Sequence, residues 1–333
     1  GPSVAGAAGE VLDAAGLTVC PGFIDTHTHS DFVFFVDSTA QSKVRQGVTT
    51  EVTGNCGMSA APLIGEARHM PRILSAGFKP RWKSVAQYLE LVARQPKTVN
   101  LAPLIGHANL RMAVIGMDDR RATPRELTRM VKLLREGLEA GAFGLSMGLY
   151  FSPGNYAGRE ELVALIREAG SHGASTACHI RDEGVKSVGF IPALQEFIGL
   201  GREAGAPVHV SHLKAFGPDV WGVSPQVLEM IESARVEGLD VTCDQYPYAA
   251  SGGLIAGGAS VAFTWARVRS RTHSAAETAT VPRTCAFFSP MPQSRLRRRL
   301  QIESALRAAV ARGELQLHFQ PRVSVDTFET TCV

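Results

Sequence analysis

Paired cysteines, long apolar runs and an excess of one charge are all missing from this sequence. Its six cysteines are scattered and none forms a Cys-x-x-Cys pair, while 333 residues can bury a core without disulfide staples. We therefore expect reduced cysteines and a cytoplasmic location. No run reaches the roughly 18 apolar residues of a membrane helix, and no charged-then-apolar leader opens the chain. Neither export nor a membrane partner is predicted.

The charge is uneven along the chain, although its sum is only +3 and gives no reason to expect a nucleic-acid partner. Residues 1–256 contain 23 Lys and Arg against 26 Asp and Glu, a net charge of −3. Residues 257–333 contain 11 Arg, no Lys and 5 acids, a net charge of +6. With 45% hydrophobic residues the chain is too apolar for a disordered protein, and we expect its character to change near residue 256.

Short β-branched runs alternate with stretches of helical spacing over the first 250 residues. Seven runs end in polar residues, at 23–29, 48–56, 99–107, 142–149, 175–181, 207–213 and 239–248. Strands that alternate with helices pair in parallel through right-handed crossovers. The pattern predicts an α/β fold, an incomplete (β/α)8 TIM-like barrel of about seven strands. A doubly wound open sheet is the competing interpretation, weakened because no Gly-x-Gly-x-x-Gly follows the first run.

Three of the helices have recognisable starts. Thr123-Pro-Arg-Glu126 is a capping box with proline at the first helical position. The apolar residues that follow it at helical spacing are Leu127, Met130, Val131, Leu134 and Leu138. Similar periodicity runs from Gly158 to Gly173, and Ser224-Pro225 begins a third helix.

Histidine and cysteine end several of the predicted strands, where a barrel would bring them together. His27 and His29 are two apart, so both point to one face of their strand. The others are Cys56, His107, His179 and His212. Imidazole and thiolate suit zinc. When His107 is left aside, five candidate ligands remain, which is enough for one or two ions. If two ions bind, Cys56 is the natural bridging ligand. Each residue alone is also compatible with an ordinary core or surface position, and His107 suits a supporting or substrate contact.

Several segments carry a family resemblance. Phe23-Ile-Asp-Thr-His-Thr-His-Ser-Asp31 resembles the first-strand motif of the amidohydrolase superfamily. The resemblance to the N-acyl-D-amino-acid deacylases (D-aminoacylases) covers about residues 10–256. Its matching segments are Gly47-Val-Thr-Thr50, Gly54-Asn-Cys-Gly57, Gly106-His107 with Leu110-Arg111, Gly144-Leu-Ser-Met-Gly148, His179-Ile-Arg-Asp-Glu-Gly184, Val210-Ser-His-Leu-Lys214 and Asp244-Gln-Tyr-Pro-Tyr248.

The resemblance implies a zinc-dependent hydrolase that cleaves N-acyl-D-amino acids to a carboxylate and a D-amino acid. It implies that His27 and His29 hold a loosely bound ion, and that His179 and His212 hold a tightly bound zinc. Cys56 would replace the carbamylated lysine that bridges the metals in other branches of the superfamily. The resemblance further implies that Lys214 meets the substrate carboxylate, helped by Tyr246 or Tyr248. Zinc chemistry also needs a general base that returns a proton to the leaving amine.

That base has no match here. In the family it is an aspartate at the end of the eighth strand, but beyond residue 256 the only aspartate is Asp326, whose surroundings differ. Residues 1–20 resemble only a remnant of the family's β-sandwich segment, so residues 21–256 are predicted to form a truncated barrel. An open sheet would leave two unpaired edges, so we expect poor stability and little hydrolysis. A catalytically inactive zinc-binding fragment is the alternative.

The tail has a different pattern. Residues 257–293 have no clean period, which predicts a linker or junction. Residues 294–333 predict a basic amphipathic helix followed by a strand. Residues 300–325 resemble the opening of the Glu-Ala-Leu-type cyclic-di-GMP phosphodiesterases, without that family's metal-binding acids. A signalling fusion through this tail is a further alternative, and a solvated helix face is the default for its arginines.

Overall fold

Seven parallel strands in chain order form the core of the first of two compact units, residues 1–288. The computed structural model describes residues 15–70, 79–246, 322–323 and 330–331. The strands of this sheet are β1 (Phe23–Asp25), β2 (Val48–Thr53), β3 (Asn100–Gly106), β4 (Gly144–Gly148), β5 (Ser175–His179), β6 (Val208–Val210) and β7 (Val241–Cys243). Each lies within a run that the sequence pattern predicted as a strand.

The strand order distinguishes the two predicted architectures. A doubly wound sheet reverses its order at a switch point. Here every strand pairs with its sequence neighbour, from β1 with β2 to β6 with β7, and every pair is parallel. The sheet curls into part of a barrel, which confirms the incomplete TIM-like barrel and excludes the doubly wound alternative.

Helices follow the strands as a parallel sheet requires. They are α1 (Gln41–Val44), α2 (Val85–Arg94), α3 (His107–Val114), α4 (Pro124–Glu139), α5 (Arg159–Ser171), α6 (Phe190–Ala204) and α7 (Ser224–Val236). Short 3-10 turns lie at Val33–Phe35, Gly65–His69, Gly154–Tyr156 and Pro218–Val220. Within the described ranges, no helix has the length and apolarity to cross a membrane.

The start of α4 confirms the capping box read from the sequence. The Thr123 hydroxyl accepts a hydrogen bond from the Glu126 backbone N–H, and the Glu126 carboxylate accepts one from the Thr123 backbone N–H. Of the predicted apolar face, Met130, Leu134 and Leu138 are buried. Leu127 and Val131 pack against the core while partly exposed. Each leucine buried in this way contributes about 1.5–3 kcal/mol of hydrophobic free energy.

The sheet's centre and its first strand differ in burial. All five residues of β4 are buried, because helices cover one side and the curled sheet closes over the other. In β1, Phe23 and Ile24 are 58% and 62% exposed. Among the described strands β1 pairs only with β2, and β7 pairs only with β6. The strands that carry His179 and His212 are therefore better packed than the strand that precedes His27.

The second compact unit, residues 289–333, is described only in part. In it β8 (Arg322–Val323) pairs with β9 (Thr330–Thr331) as a two-stranded antiparallel sheet. The predicted junction, the basic helix and nearly all of the segment that resembles a cyclic-di-GMP phosphodiesterase lie outside the described residues.

Candidate metal centre

The carboxyl ends of four strands bring five potential ligands together. His27 and His29 follow β1, Cys56 follows β2, His179 ends β5 and His212 follows β6. They form two groups that share Cys56: His27 with His29, and His179 with His212. Within each group the ligand atoms all lie within 4.8 Å of one another. Cys56, His179 and His212 are buried, whereas His27 is half-buried and His29 exposed.

A tight turn after β2 aims the cysteine. Cys56 has a φ of 54°, in the left-handed region that few non-glycine residues adopt. Gly57 follows with a φ of 78°, and a Cβ there would lie 2.6 Å from the Gly148 backbone nitrogen. The Asn55 side chain donates to the carbonyls of Thr28 and Val52, at 3.3 and 3.0 Å. These constraints fix the thiol beside the end of β1.

The ring nitrogens face the thiol. Cys56 Sγ lies 3.4 Å from His27 Nε2 and 3.4 Å from His212 Nε2. The His212 ring centroid lies 4.7 Å from that of His27 and 4.4 Å from that of His179. One sulfur therefore lies between histidines from opposite sides of the curled sheet.

Burial sets the protonation of these groups. It lowers the pKa of His179 and of His212, and nearby positive Lys214 acts in the same direction. Both imidazoles are therefore neutral at pH 7, the form that binds a metal. Burial also raises the pKa of the Cys56 thiol, so a cation must displace its proton on binding.

The residues fit a transition-metal ion. His179 Nε2 is buried and makes no hydrogen bond within the described part of the chain, and the nearby Glu183 Oε2 is 3.6 Å away. A buried nitrogen without a partner costs free energy, which a ligated cation would offset. Four imidazoles and a thiol form a donor set that suits zinc and similar ions.

Two acids that sequence reasoning left without a role lie against these histidines. Glu183 Oε1 lies 3.1 Å from His212 Nδ1 and 2.5 Å from Lys214 Nζ. Asp244 Oδ2 lies 2.7 Å from His209 Nε2 and 3.5 Å from His27 Nδ1. Both follow strands at the same edge of the sheet as the ligands, which is the pattern that would have pointed to them.

Their surroundings keep both acids ionised. Burial alone would raise the pKa of Glu183, but the histidines and Lys214 together hold it well below its usual range. Burial likewise opposes ionisation of Asp244, yet its contacts with His209 and His27 hold its pKa well below the usual value. The candidate centre therefore contains two negative charges, of which Glu183 lies beside the neutral imidazoles of His179 and His212.

The predicted substrate contacts have different positions. Lys214 is buried, and its Nζ lies 5.8 Å from the centroid of the Tyr246 ring. Tyr248 lies outside the described residues. His107 is fully buried away from the two ligand groups, with its Nε2 2.6 Å from Glu161 Oε1. Arg111 donates to the other oxygen of Glu161 at 2.5 Å, so His107 contacts an internal ion pair in this structure.

The fold and the site define a TIM-like barrel with a histidine and cysteine centre at the carboxyl edge of its strands. The chain belongs to the amidohydrolase family, whose model matches residues 10–283. It is 40% identical over 245 residues to a D-aminoacylase of Alcaligenes xylosoxydans xylosoxydans, covering 73% of this chain and 50% of the relative. The chain thus spans about half the length of the curated relatives it matches.

Two solved structures are similar. One is a D-aminoacylase with a binuclear metal centre, in which one metal activates and the second attenuates. It superposes on this chain with a TM-score of 0.64 at 39% identity. An N-acyl-D-glutamate deacylase of Bordetella bronchiseptica, complexed with zinc and a phosphonate mimic of the tetrahedral intermediate, gives 0.63 at 37% identity. Each match covers 69% of this chain and 48% of the other.

Proposed function

We propose that residues 21–256 carry the metal-binding part of a hydrolase that cleaves N-acyl-D-amino acids to a carboxylate and a D-amino acid. The observation that carries this proposal is the position of Cys56, whose thiol lies between His27 and His212 at 3.4 Å from each. Relatives with about 40% identity are deacylases of N-acyl-D-amino acids, which supports the substrate class. The substrate proposed here is a small molecule.

One or two zinc ions are the proposed cofactor. Cys56, His179 and His212 would hold the first ion, and His27 and His29 would share Cys56 with a second. Bound zinc supplies a Lewis acid for the acyl carbonyl and lowers the pKa of a water molecule to about 7. The protein supplies neutral imidazoles and a thiol that must lose its proton.

For the substrate carboxylate we propose Lys214, helped by Tyr246 or Tyr248. In this structure Lys214 Nζ contacts Glu183 Oε1, His212 Nδ1 at 3.0 Å and the His212 carbonyl at 3.3 Å. An ammonium has three donors, so a substrate carboxylate would replace one of these partners. We propose that His107, through its contact with Glu161, stabilises the end of β3 without contacting a metal ion.

Turnover is proposed to be impaired, because no aspartate after Tyr248 matches the family's eighth-strand base in its surroundings. We propose a cytoplasmic location, since Cys20, Cys56 and Cys178 form no disulfide within the described ranges. The domain boundaries at about 20, 256 and 293 are part of the same proposal.

The test combines metal content with enantiomer selectivity in the full chain. After loading with zinc and removal of excess, we expect one to two bound ions and slow release of D-methionine from N-acetyl-D-methionine. N-acetyl-L-methionine is the control and should not be cleaved. Metal binding without turnover would favour the inactive zinc-binding fragment, and a chain that binds no transition metal would overturn the site assignment.

A further inference from the structure

Two histidines of the candidate centre have the same arrangement around their rings. His27 directs Nε2 to Cys56 Sγ at 3.4 Å, and its buried Nδ1 makes no hydrogen bond within the described residues but has Asp244 Oδ2 as a nearby carboxylate oxygen at 3.5 Å. His212 also directs Nε2 to Cys56 Sγ at 3.4 Å, and its Nδ1 lies 3.1 Å from Glu183 Oε1. Each ring therefore faces the shared thiol on one side and a different carboxylate on the other.

This arrangement has a defined chemical consequence. A histidine that ligates a metal through Nε2 carries its proton on Nδ1, and an acceptor at Nδ1 fixes both the tautomer and the ring orientation. The carboxylate also makes the imidazole a more basic ligand. Asp244 and Glu183 are placed to do this for His27 and His212 respectively.

Asp244 is itself held rigidly. Its Oδ1 accepts a hydrogen bond from the His212 backbone N–H at 2.6 Å, and its Oδ2 lies 2.7 Å from His209 Nε2. The Asp244 backbone carbonyl accepts from the Leu213 N–H at 2.9 Å. These contacts join the ends of β6 and β7, so the oxygen that faces His27 has little freedom.

Glu183 is held from the other side of the centre. Lys214 donates to its Oε1 at 2.5 Å, and the same ammonium lies 3.0 Å from His212 Nδ1. Lys214 can direct its N–H donors to Glu183 Oε1 and to the His212 carbonyl at 3.3 Å, and Glu183 Oε1 can then accept from a His212 Nδ1–H at 3.1 Å. Donation from Lys214 to His212 Nδ1 is the opposing arrangement, and it requires the other tautomer of His212. Glu183 Oε2 lies 3.6 Å from His179 Nε2, so each oxygen of Glu183 faces a histidine of the buried ligand group.

We infer that Asp244 positions His27 and Glu183 positions His212, so that each half of the candidate centre has its own carboxylate. The inference rests on the proposed function only in assuming that the centre binds metal. Both acids are positioning residues, because they act through a histidine. The two half-sites can then be weakened separately.

Zinc titration of the full chain, with free zinc buffered, tests this separation. Asp244→Asn keeps an oxygen for the His212 N–H but loses the acceptor toward His27. We expect it to weaken the ion bound by His27 and His29 about 10–100-fold and to leave the other ion within about threefold. Glu183→Gln should instead weaken the ion bound by His179 and His212 and leave the ion bound by His27 and His29 unchanged.

Asp240→Asn is the matched control. Asp240 is an exposed acid just before β7, so its substitution should change neither affinity.

The outcomes separate this inference from the proposed function. A wild-type chain that binds no zinc contradicts the proposed function. Variants that weaken both ions equally, or neither, overturn the inference while the metal centre stands. If only one ion binds, Glu183→Gln must weaken it and Asp244→Asn must not, and the reverse result overturns the inference.

A second measurement needs no substitution, in case a variant does not fold. Long-range nitrogen–proton NMR spectra of the wild-type chain report the tautomer of each histidine ring. We expect Nδ1–H on both His27 and His212. An Nε2–H tautomer on either ring would overturn the positioning role of its carboxylate.

Discussion

Two clusters of histidine and acid lie near the carboxyl edge of the sheet. They differ in the group that the histidine Nε2 atoms contact, which is a thiol in one cluster and a carboxylate in the other. In the candidate metal centre, His27 and His212 turn Nε2 toward Cys56. In the second cluster, here called the buried triad (His107, Arg111 and Glu161), His107 Nε2 lies 2.6 Å from a carboxylate oxygen. In the first cluster two ring nitrogens converge on a thiol, where they are placed to bind a cation. In the second, Glu161 engages His107 Nε2, and the buried His107 Nδ1 makes no hydrogen bond within the described residues.

The difference shows that a histidine at a strand end is not enough to predict a ligand. His107 follows β3 as His212 follows β6, yet Glu161 reaches His107 from α5. Glu161 also pairs with Arg111, which is fully buried. Burial raises the pKa of Glu161, but His107 and Arg111 outweigh it, so the net shift is downward. The buried triad is thus built for internal charge pairing.

The largest predicted effect breaks the metal centre at its shared atom. Cys56→Ala removes the sulfur common to both ligand groups, so we expect zinc affinity to fall by more than about 100-fold, beyond the loss typical of a supporting residue. Any deacylase activity should disappear. Cys178→Ala is the control, because Cys178 is also buried and free of a disulfide, and its thiol donates to the His179 backbone carbonyl but belongs to neither ligand group.

The control should lose stability instead of metal. We expect Cys178→Ala to lower the free energy of unfolding by about 0.5–3 kcal/mol, with zinc stoichiometry unchanged. Elemental analysis and urea denaturation read out the two properties. Equal zinc affinity in Cys56→Ala and the wild type would contradict the assignment of Cys56.

The second prediction breaks the buried triad. Glu161→Gln leaves the Arg111 charge buried beside a neutral partner, so we expect a loss of about 3–5 kcal/mol in the free energy of unfolding. Glu160→Gln, the exposed neighbour in the first turn of α5, should change it by less than about 1 kcal/mol.

Urea denaturation followed by circular dichroism measures both glutamine variants. Zinc affinity should stay at the wild-type value in each, because the buried triad is separate from the ligand groups. A change in zinc affinity in Glu161→Gln, or equal stability of the two variants, would remove the distinction between the clusters.

The clusters also show how far the sequence predicts the site. The strand runs, the parallel order and the positions of His27, Cys56, His179 and His212 at strand ends follow from periodicity and from the rule that parallel strands end at one edge. The α4 capping box was readable because its two partners are three residues apart. Local spacing is what a single sequence displays.

The pairings within each cluster could not be read in that way. His107 and Glu161 are 54 residues apart, and only the tertiary packing of α5 against β4 and β5 brings them together. The contact of Asp244 with His27 likewise depends on how far the sheet curls, which strand patterns do not fix. A second capping box, Ser84 with Gln87 at the start of α2, was local but went unpredicted.

The smallest predicted effect compares the buried Arg111–Glu161 pair with an exposed one. Arg120 Nη2 lies 2.7 Å from Glu126 Oε1, and 41% of the Arg120 side chain is exposed. Two hydrogen bonds lower the pKa of Glu126 from 4.5 to about 2. The bond from Arg120 has the larger effect, and the bond from the Thr123 backbone N–H has the smaller one. Because the pKa is lower in the folded state, the stabilisation is present above pH 4.5 and is lost as the pH falls toward 2.

Glu126→Gln should therefore lower the free energy of unfolding by only about 0.5–1 kcal/mol at pH 7, since solvent screens the exposed pair. Urea denaturation of the variant and the wild type from pH 7 to pH 3 measures the difference, which should shrink below pH 4.5. The stability difference between Glu161→Gln and the wild type should also shrink as the pH falls. It should be larger at pH 7 than the Glu126→Gln difference, because the Glu161 carboxylate is buried beside Arg111. A Glu126 effect as large as the Glu161 effect, or one that grows at low pH, would show that burial does not set the strength of these two pairs.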